Sequence, residues 1–232
     1  METFGVIIVA AGKGSRMGTK ESKQYLNLGG KPILVHTLER FQQMTETHSI
    51  VLVVGPQEVE RCKSYVKDYG LTKVVRVLPG GRERQDSVYE GLKALPASVQ
   101  MILVHDGVRP FVRDKQIRAC WQAAEKAGAA VLAVPVKDTI KVIDESGYIR
   151  STPDRKSLWA IQTPQAFCRS LLEKAHDKAK QDNFTGTDDA MLVERLGAQV
   201  LVVEGDYRNI KITTPEDLPW AECILQNKGE EL

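Results

Sequence analysis

A glycine-rich, cationic segment directly follows the first apolar run of the sequence, Val6-Ile7-Ile8-Val9-Ala10-Ala11. Three glycines and four cations stand between residues 12 and 23: Gly12, Gly14, Gly18, Lys13, Arg16, Lys20 and Lys23. Glycine lets backbone N–H groups approach a ligand closely, and the cations give the segment a positive field. This combination predicts a cradle for a polyphosphate. The alternative is a flexible strand-to-helix connection that carries solvated lysines.

The segment differs from both of the best-known phosphate-binding motifs. The Walker A pattern G-x-x-x-x-G-K-[S/T] is absent, and Met17 occupies the place of the third glycine in G-x-G-x-x-G. Open α/β sheets bind ligands at the carboxyl ends of their strands, so a ligand site is still favoured after the first strand.

Further polar clusters stand at the ends of later apolar runs. The pair Gly80-Gly81 allows a flat ligand to lie against backbone, or it forms only a tight turn before a helix cap at Asp86 or Ser87. Asp106 is suited to a ribose hydroxyl or a place beside a magnesium ion, or it caps a turn. Lys211, inside a short apolar stretch, is a ligand contact or a solvated surface lysine. The last polar cluster consists of residues 137–139 together with residues 152–155.

These residue types favour phosphoryl or nucleotidyl transfer over acyl transfer or redox chemistry. The sequence has no G-x-S-x-G elbow and no evident catalytic cysteine. Transfer between two anions needs little covalent chemistry from the protein, but it needs cations, a metal ion and alignment. Arginine, lysine and glycine at strand ends supply the cations and the alignment.

Composition excludes several other classes. The 232 residues carry a net charge of +2, so nothing predicts binding to nucleic acid, and no apolar run has the length of a membrane span. The start Met1-Glu2-Thr3 leads straight into a strand, without the features of a signal peptide. The four cysteines are scattered, which argues against structural zinc or disulfides and predicts free thiols in a reducing cytoplasm.

Apolar runs alternate with helical patterns and predict an α/β fold. Five such runs, each followed by an amphipathic segment, indicate a Rossmann-like, mostly parallel sheet with helices on both faces. The runs are 6–11, 50–54, 74–78, 101–104 and 129–134. We expect a helix from about Ser87 to Leu95, another capped by Thr187 or Asp188, and a last helix opened by Thr214-Pro215. No linker is evident, so 1–232 is expected to be a single domain.

A different pattern interrupts this alternation at residues 139–152. Two apolar stretches flank Asp144-Glu145-Ser146-Gly147, which predicts a β-hairpin. A lone hairpin is marginal in water, so its apolar residues must be covered. We interpret 137–157 as a protruding arm that packs on a second copy of the chain. The alternative is a β-meander folded back on its own domain.

Six motifs in order resemble those of the 2-C-methyl-D-erythritol 4-phosphate cytidylyltransferase family. They are Ala10-Ala11-Gly12-x-Gly14-x-Arg16-Met17 with Lys23-Gln24-Tyr25, Gly80-Gly81 to Ser87, Val104 to Pro110, Pro135 to Thr139, Thr163-Pro164-Gln165 through Thr187-Asp188, and Asn209 to Asp217. The resemblance covers essentially the whole chain. One departure is Glu21-Ser22, where the family commonly has a proline, and it affects the stiffness of the loop more than its charge.

The resemblance implies a magnesium-dependent homodimer that joins CTP to methylerythritol phosphate and releases pyrophosphate, with Arg16 and Lys23 as catalytic residues. It implies that Asp106 lies near ribose, acceptor and metal, with the ion held mainly by the phosphates of CTP. The implied nucleotide-binding residues are Ala10, Ala11, Gly12, Gly14, Gly81 and Ser87. The implied acceptor-positioning residues are Arg155, Lys211, Thr139, Arg109 and Thr187.

Two rival functions remain open at this point. Ribitol 5-phosphate cytidylyltransferases share the fold and the CTP half of the site, so only the acceptor half separates the two activities. Three stretches look more like the methylerythritol enzyme: Ala10-Ala11-Gly12, Lys23-Gln24-Tyr25 and Pro135 to Thr139. A non-catalytic nucleotide-binding regulatory protein is the second rival. It would not require both Arg16 and Lys23.

Overall fold

The computed structural model describes residues 3–12 and 21–227, which form a mixed sheet flanked by helices. The strands are β1 (Phe4–Ala10), β2 (Asn27–Leu28), β3 (Lys31–Pro32), β4 (Thr47–Val54), β5 (Val74–Pro79), β6 (Met101–Asp106), β7 (Ala129–Pro135), β8 (Val142–Ile143), β9 (Ile149–Ser151), β10 (Trp159–Cys168) and β11 (Leu201–Glu204). The helices are α1 (Ile33–Gln43), α2 (Val59–Asp68), α3 (Arg84–Ala94), α4 (Asp114–Ala127), α5 (Arg169–Gln181), α6 (Asp189–Arg195) and α7 (Asp217–Gln226).

Seven strands make the central sheet in the order β11-β7-β10-β6-β1-β4-β5. β10 runs antiparallel to both of its neighbours, and the other pairings are parallel. The expected α/β fold with a mostly parallel sheet is therefore confirmed. The parallel order brings the carboxyl ends of β1, β4, β5 and β6 to one edge, where most of the predicted site residues that the structure describes meet.

β1, β4, β6 and β7 are buried almost throughout on both faces, as their apolar runs predict. Along β1, Val6 and Ile8 pack into the core with α1, α2 and α4, whereas Ile7 packs into the opposite core with α3, α5 and α6. This alternation follows from the two-residue period of a strand. Helices on both faces thus fix the position of the strand ends.

Two helices begin at residues other than those expected. α3 begins at Arg84, three residues before the expected start at Ser87, because Glu83 and Asp86 form a reciprocal capping box. α7 begins at Asp217, three residues after Thr214. The Asp217 carboxylate accepts the backbone N–H groups of Thr213 and Thr214, at 2.7 and 2.9 Å, which holds 213–216 in a turn before the helix. At α6, Asp188 is the cap, accepting from Met191 N at 2.9 Å.

β8 and β9 form a two-stranded hairpin that stands away from the main sheet. Every residue from 137 to 152 is exposed, and the largest apolar exposures are those of Tyr148 at 74%, Ile149 at 63% and Ile143 at 60%. The chain's own core therefore does not cover these side chains. Within residues 3–12 and 21–227, no helix combines the length and apolar character that crossing a membrane requires.

Candidate active site

A cavity of about 260 Å³ opens at the carboxyl ends of β1 and β6, beside the start of α3. Most of the predicted site residues that the structure describes line it: Ala10, Ala11, Gly12, Lys23, Gly81, Ser87, Asp106 and Lys211. These residues come from positions 10 to 211 of the chain, so only the fold brings them together. Arg16 and Gly14 lie outside the described residues.

Gly81 gives the cavity a wall of backbone without a side chain, and Gly80 lies directly before it in the chain. A Cβ atom added at Gly80 would lie 2.5 Å from the Cβ of Ala11, and one added at Gly81 would lie 2.3 Å from the Cβ of Asp86. Both positions therefore exclude any larger residue. Ser87 closes the turn, since its Oγ accepts from Gly81 N and donates to Glu83 O, each at 3.2 Å. The wall is suited to a flat group such as a nucleobase.

Lys23 enters the cavity from a short 3-10 helix, Lys23–Tyr25. Its side chain is largely buried, at 9% exposure for the residue, which is unusual for lysine. An ammonium group in such a place acts in a lower effective dielectric than water and interacts more strongly with an anion.

Asp106 is the centre of a cluster of three cations. Its Oδ2 lies 3.0 Å from Lys211 Nζ and 3.3 Å from Arg109 Nε, and its Oδ1 lies 3.6 Å from Arg84 Nε. Burial alone would raise the pKa of Asp106, but Lys211, Arg84 and Arg109 outweigh it and hold the pKa well below its usual range. The carboxylate is therefore a weak base that orients cations. Three cations on one carboxylate leave a surplus of positive charge for an anionic ligand.

A buried polar frame behind the cavity holds Asp106. Its backbone N–H donates to Thr163 Oγ1 at 3.0 Å, and Thr163 Oγ1 also lies 3.0 Å from Nδ1 of His105. The other ring nitrogen of His105 lies 3.1 Å from the carbonyl of Arg109. Burial lowers the pKa of His105 to about 4, so the ring is neutral at pH 7.

Asn209 extends this frame to the segment that carries Lys211. Its Nδ2 donates to Gln162 Oε1 at 3.0 Å and to the carbonyl of Thr163 at 2.9 Å. The backbone carbonyl of Asn209 accepts from Arg109 Nη1 at 2.7 Å. The residue is fully buried. Asn209 thereby joins the segment that precedes Lys211 to β10 and to Arg109, through partners that no local sequence pattern indicates.

Arg84 is a further cavity residue, whose role the sequence pattern does not predict. It lines the cavity and bonds Asp189 Oδ2 at 2.7 Å, while the other oxygen of Asp189 lies 3.2 Å from His176 Nε2. Asp189 and His176 are buried, at 1% and 2% exposure. Arg84 stands inside the sequence motif that ends at Ser87. Its acidic partner, Asp189, stands at the start of α6, far away in the sequence, so the sequence does not predict the pair.

The other predicted acceptor-positioning residues are not among the described residues that line this cavity. Arg109 is buried behind it and bonds Asp106 and Asn209, so it acts on the cavity through those partners. Arg155 is exposed at the base of the hairpin and donates to Lys137 O at 2.8 Å. Thr139 is exposed before β8, and Thr187 lies beside Met191 ahead of α6. The structure therefore divides the predicted set into a cavity group and a peripheral group.

No protein-built metal centre is found among the residues that the structure describes, since none of their His, Cys, Asp and Glu side chains form a group of three able to hold an ion. Asp106 supplies hard oxygen donors of the kind that magnesium prefers, but three cations already surround it. An ion held mainly by phosphate oxygens, with one carboxylate nearby, fits this donor set.

Comparison with known proteins assigns the chain to a family. The profile of 2-C-methyl-D-erythritol 4-phosphate cytidylyltransferase (IspD) matches residues 4–227. A relative of that name from Geobacillus thermodenitrificans is 50% identical over 228 residues, which span 98% of this chain and 99% of the relative. Another from Desulforamulus reducens is 47% identical over 230 residues, 99% of this chain and 98% of the relative.

Solved structures agree with this assignment. The 4-diphosphocytidyl-2C-methyl-D-erythritol synthase of Anaerococcus prevotii superposes with a TM-score of 0.86 at 36% identity, over 97% of this chain and 99% of that one. The 2-C-methyl-D-erythritol 4-phosphate cytidylyltransferase of Thermus thermophilus gives a TM-score of 0.79 at 34% identity, over 97% and 100%.

Proposed function

The chain belongs to the 2-C-methyl-D-erythritol 4-phosphate cytidylyltransferase family, and we propose that it transfers CMP from CTP to methylerythritol 4-phosphate. The products are 4-diphosphocytidyl-2-C-methyl-D-erythritol and pyrophosphate, in isoprenoid biosynthesis by the non-mevalonate route. The observation that carries this function is the cavity itself, whose lining combines the Gly81 backbone with the cations Lys23, Lys211 and Arg84. The names of the relatives favour methylerythritol phosphate over ribitol phosphate, and the membership of an enzyme family disfavours a silent nucleotide-binding protein.

In this reaction a phosphate oxygen of the acceptor attacks the α-phosphorus of CTP. The bond from that phosphorus to the bridging oxygen breaks, and pyrophosphate leaves on the opposite side. Attacking and leaving groups are both anionic, so the barrier is lowered by cations fixed around the α-phosphate. We assign this role to Lys23, which lines the cavity, and to Arg16. In this proposal Ala10, Ala11, Gly12 and Gly14 line the nucleotide, and Gly81 and Ser87 contact its cytosine end.

The acceptor phosphate is positioned by Lys211, which Asp106 orients from 3.0 Å. Arg109 supports both through its bonds to Asp106 and to the carbonyl of Asn209. Arg155, Thr139 and Thr187 complete the acceptor side. Because Arg155 and Thr139 stand on the arm, we assign them to the site of a second copy of the chain.

A divalent cation, Mg²⁺, accompanies CTP in this proposal. It would be held by the phosphate oxygens with Asp106 close by, and it would neutralise charge on the triphosphate. The protein's own residues contribute the cations and the alignment described above.

The arm 137–157 supports a homodimer, because its exposed apolar side chains need a covering surface in water. All four cysteines are unpaired, which supports a reducing cytoplasmic location. Neither nucleic acid nor membrane has a place in this function.

The assignment is tested by pyrophosphate release from CTP with Mg²⁺, assayed in parallel with methylerythritol 4-phosphate and with ribitol 5-phosphate. Turnover with the first alone is the expected result. Turnover with ribitol phosphate alone would move the protein to the sister activity. CTP binding without turnover on either acceptor would favour a non-catalytic role.

A further inference from the structure

Gln24 links two parts of the cavity that lie apart in sequence. It is 3% exposed and stands in the 3-10 helix, directly after Lys23. Its Nε2 donates to the carbonyl of Ala10 at 2.9 Å and to that of Gly12 at 3.2 Å. Ala10 is the last residue of β1, where pairing with β4 ends, and Gly12 lies beyond that ladder. One side-chain amide thus holds the backbone turn on which the nucleotide is proposed to lie.

The other side of the 3-10 helix is anchored in the core. Tyr25 is 3% exposed, and its hydroxyl accepts from the Cys62 thiol at 3.7 Å. The guanidinium of Arg61 lies 4.4 Å from the centre of the Tyr25 ring. Both partners belong to α2. Lys23 therefore precedes two residues that tie its helix in different directions, Gln24 to the β1 turn and Tyr25 to α2.

We propose that Gln24 is a positioning residue for the reaction, which fixes the distance between Lys23 and the Ala10–Gly12 turn. This proposal rests on the catalytic role assigned to Lys23 above. A cation that offsets charge at the reacting phosphate must stand at a set distance from it, and that distance is set by the backbone of the 3-10 helix. The contacts of Tyr25 run to α2, whereas the amide of Gln24 bonds directly to the backbone at the end of β1.

Gln24→Met tests the proposal, because methionine keeps the length and volume of the side chain but donates no hydrogen bond. We expect kcat to fall about tenfold with the KM for methylerythritol phosphate unchanged, since a displacement of about 1 Å costs up to about 10²-fold in rate. Gln24→Asn keeps the amide but is one methylene too short to reach both carbonyls, and the same direction of change is expected. If the methionine variant is unstable, Gln24→Asn is used for the same measurement.

Gln116→Met is the matched control. Gln116 is also buried, at 6% exposure, and its Oε1 accepts from Arg113 N at 3.1 Å at the start of α4, away from the cavity. This variant likewise loses a buried side-chain hydrogen bond. It is expected to lose stability and keep the wild-type kcat.

A double-mutant comparison separates positioning from direct contact with the nucleotide. If Gln24 acts through Lys23, adding Gln24→Met to Lys23→Ala causes no further loss of kcat. A further tenfold loss in the double variant, or a wild-type kcat in Gln24→Met, would overturn the proposal for Gln24 and leave the role of Lys23 intact. A wild-type kcat in Lys23→Ala would instead remove Lys23 from the mechanism and the basis of this inference with it.

Discussion

The cavity and the arm hold their functional side chains in opposite ways. In the cavity, Asp106 is 6% exposed and held by three cations, and Lys23 is 9% exposed on a helix anchored from two sides. On the arm, every residue from 137 to 152 is exposed, and the Arg155 side chain reaches only back to a carbonyl of the arm's own base. One chain therefore holds the described cavity residues in place through its own contacts. We infer that the acceptor half is completed by a second chain.

The largest expected effect concerns the cavity. Lys23→Ala should lower kcat by roughly 10²-fold or more, because a lost donor to transition-state charge costs about that much. Lys63→Ala is a suitable control, since Lys63 is an exposed lysine of α2 paired with Glu60 at 2.7 Å. Steady-state pyrophosphate release measures both. Equal rates in the two variants would exclude Lys23 from the chemistry and weaken the contrast between the two regions.

A smaller effect, on a different parameter, is expected on the arm. Arg155→Ala should raise the KM for methylerythritol phosphate about tenfold, since a hydrogen bond between charged groups contributes about 1.5–3 kcal/mol. The KM for CTP should stay near wild type, because Arg155 is not among the described residues that line the cavity. Lys156→Ala, at the next exposed position, is the control. A raised KM for CTP with an unchanged KM for the acceptor would contradict the assignment of Arg155 to the acceptor side of the site.

The smallest effect tests how firmly the cavity frame is buried. The folded-state pKa of His105 is about 4, below the unfolded value of about 6.5, so the unfolded chain binds more protons between these pH values. Stability is therefore lost as the pH falls through this window, by about 2 kcal/mol for this group between pH 6.5 and pH 5. Urea unfolding at several pH values measures the slope.

His105→Gln should remove the contribution of His105 to the pH dependence of the unfolding free energy, whatever its effect on stability at pH 7. An identical slope in wild type and His105→Gln would mean that the histidine is not buried as described, and that the frame behind Asp106 is looser than the cavity geometry requires.

The sequence predicted the parts of the molecule that depend on local pattern. β1 and β6 were evident from unbroken apolar runs, and the hairpin from a glycine-bearing turn between apolar stretches. The cavity group could be predicted because glycines and cations follow strand ends, which parallel topology brings to one edge. The start of α3 was misplaced because the reciprocal bonds of Glu83 and Asp86 compete with the expected cap at Ser87.

Long-range partners could not be predicted in the same way. Arg84 meets Asp189 across 105 positions of the chain, and Arg109 meets the carbonyl of Asn209 across 100. No periodicity or turn residue signals such pairs, because they depend on how helices and strands pack. Arg155 and Thr139 raise the same difficulty more strongly, since in our proposal their partners belong to another copy of the chain. Arg16 and Gly14 lie outside the described residues, and their roles stay predictions.

The measurement that tests the division of the site most directly is complementation between Lys23→Ala and Arg155→Ala. The two purified variants are unfolded together, refolded together and assayed at an acceptor concentration well below the wild-type KM, where Arg155→Ala alone keeps about a tenth of the wild-type rate and Lys23→Ala alone about a hundredth. If the site is shared, mixed dimers carry one site with both residues intact, and activity returns to about a quarter of wild type. If activity stays at the level of the separate variants while mixed dimers form, Lys23 and Arg155 act within one chain, and the arm does not complete the site of its partner.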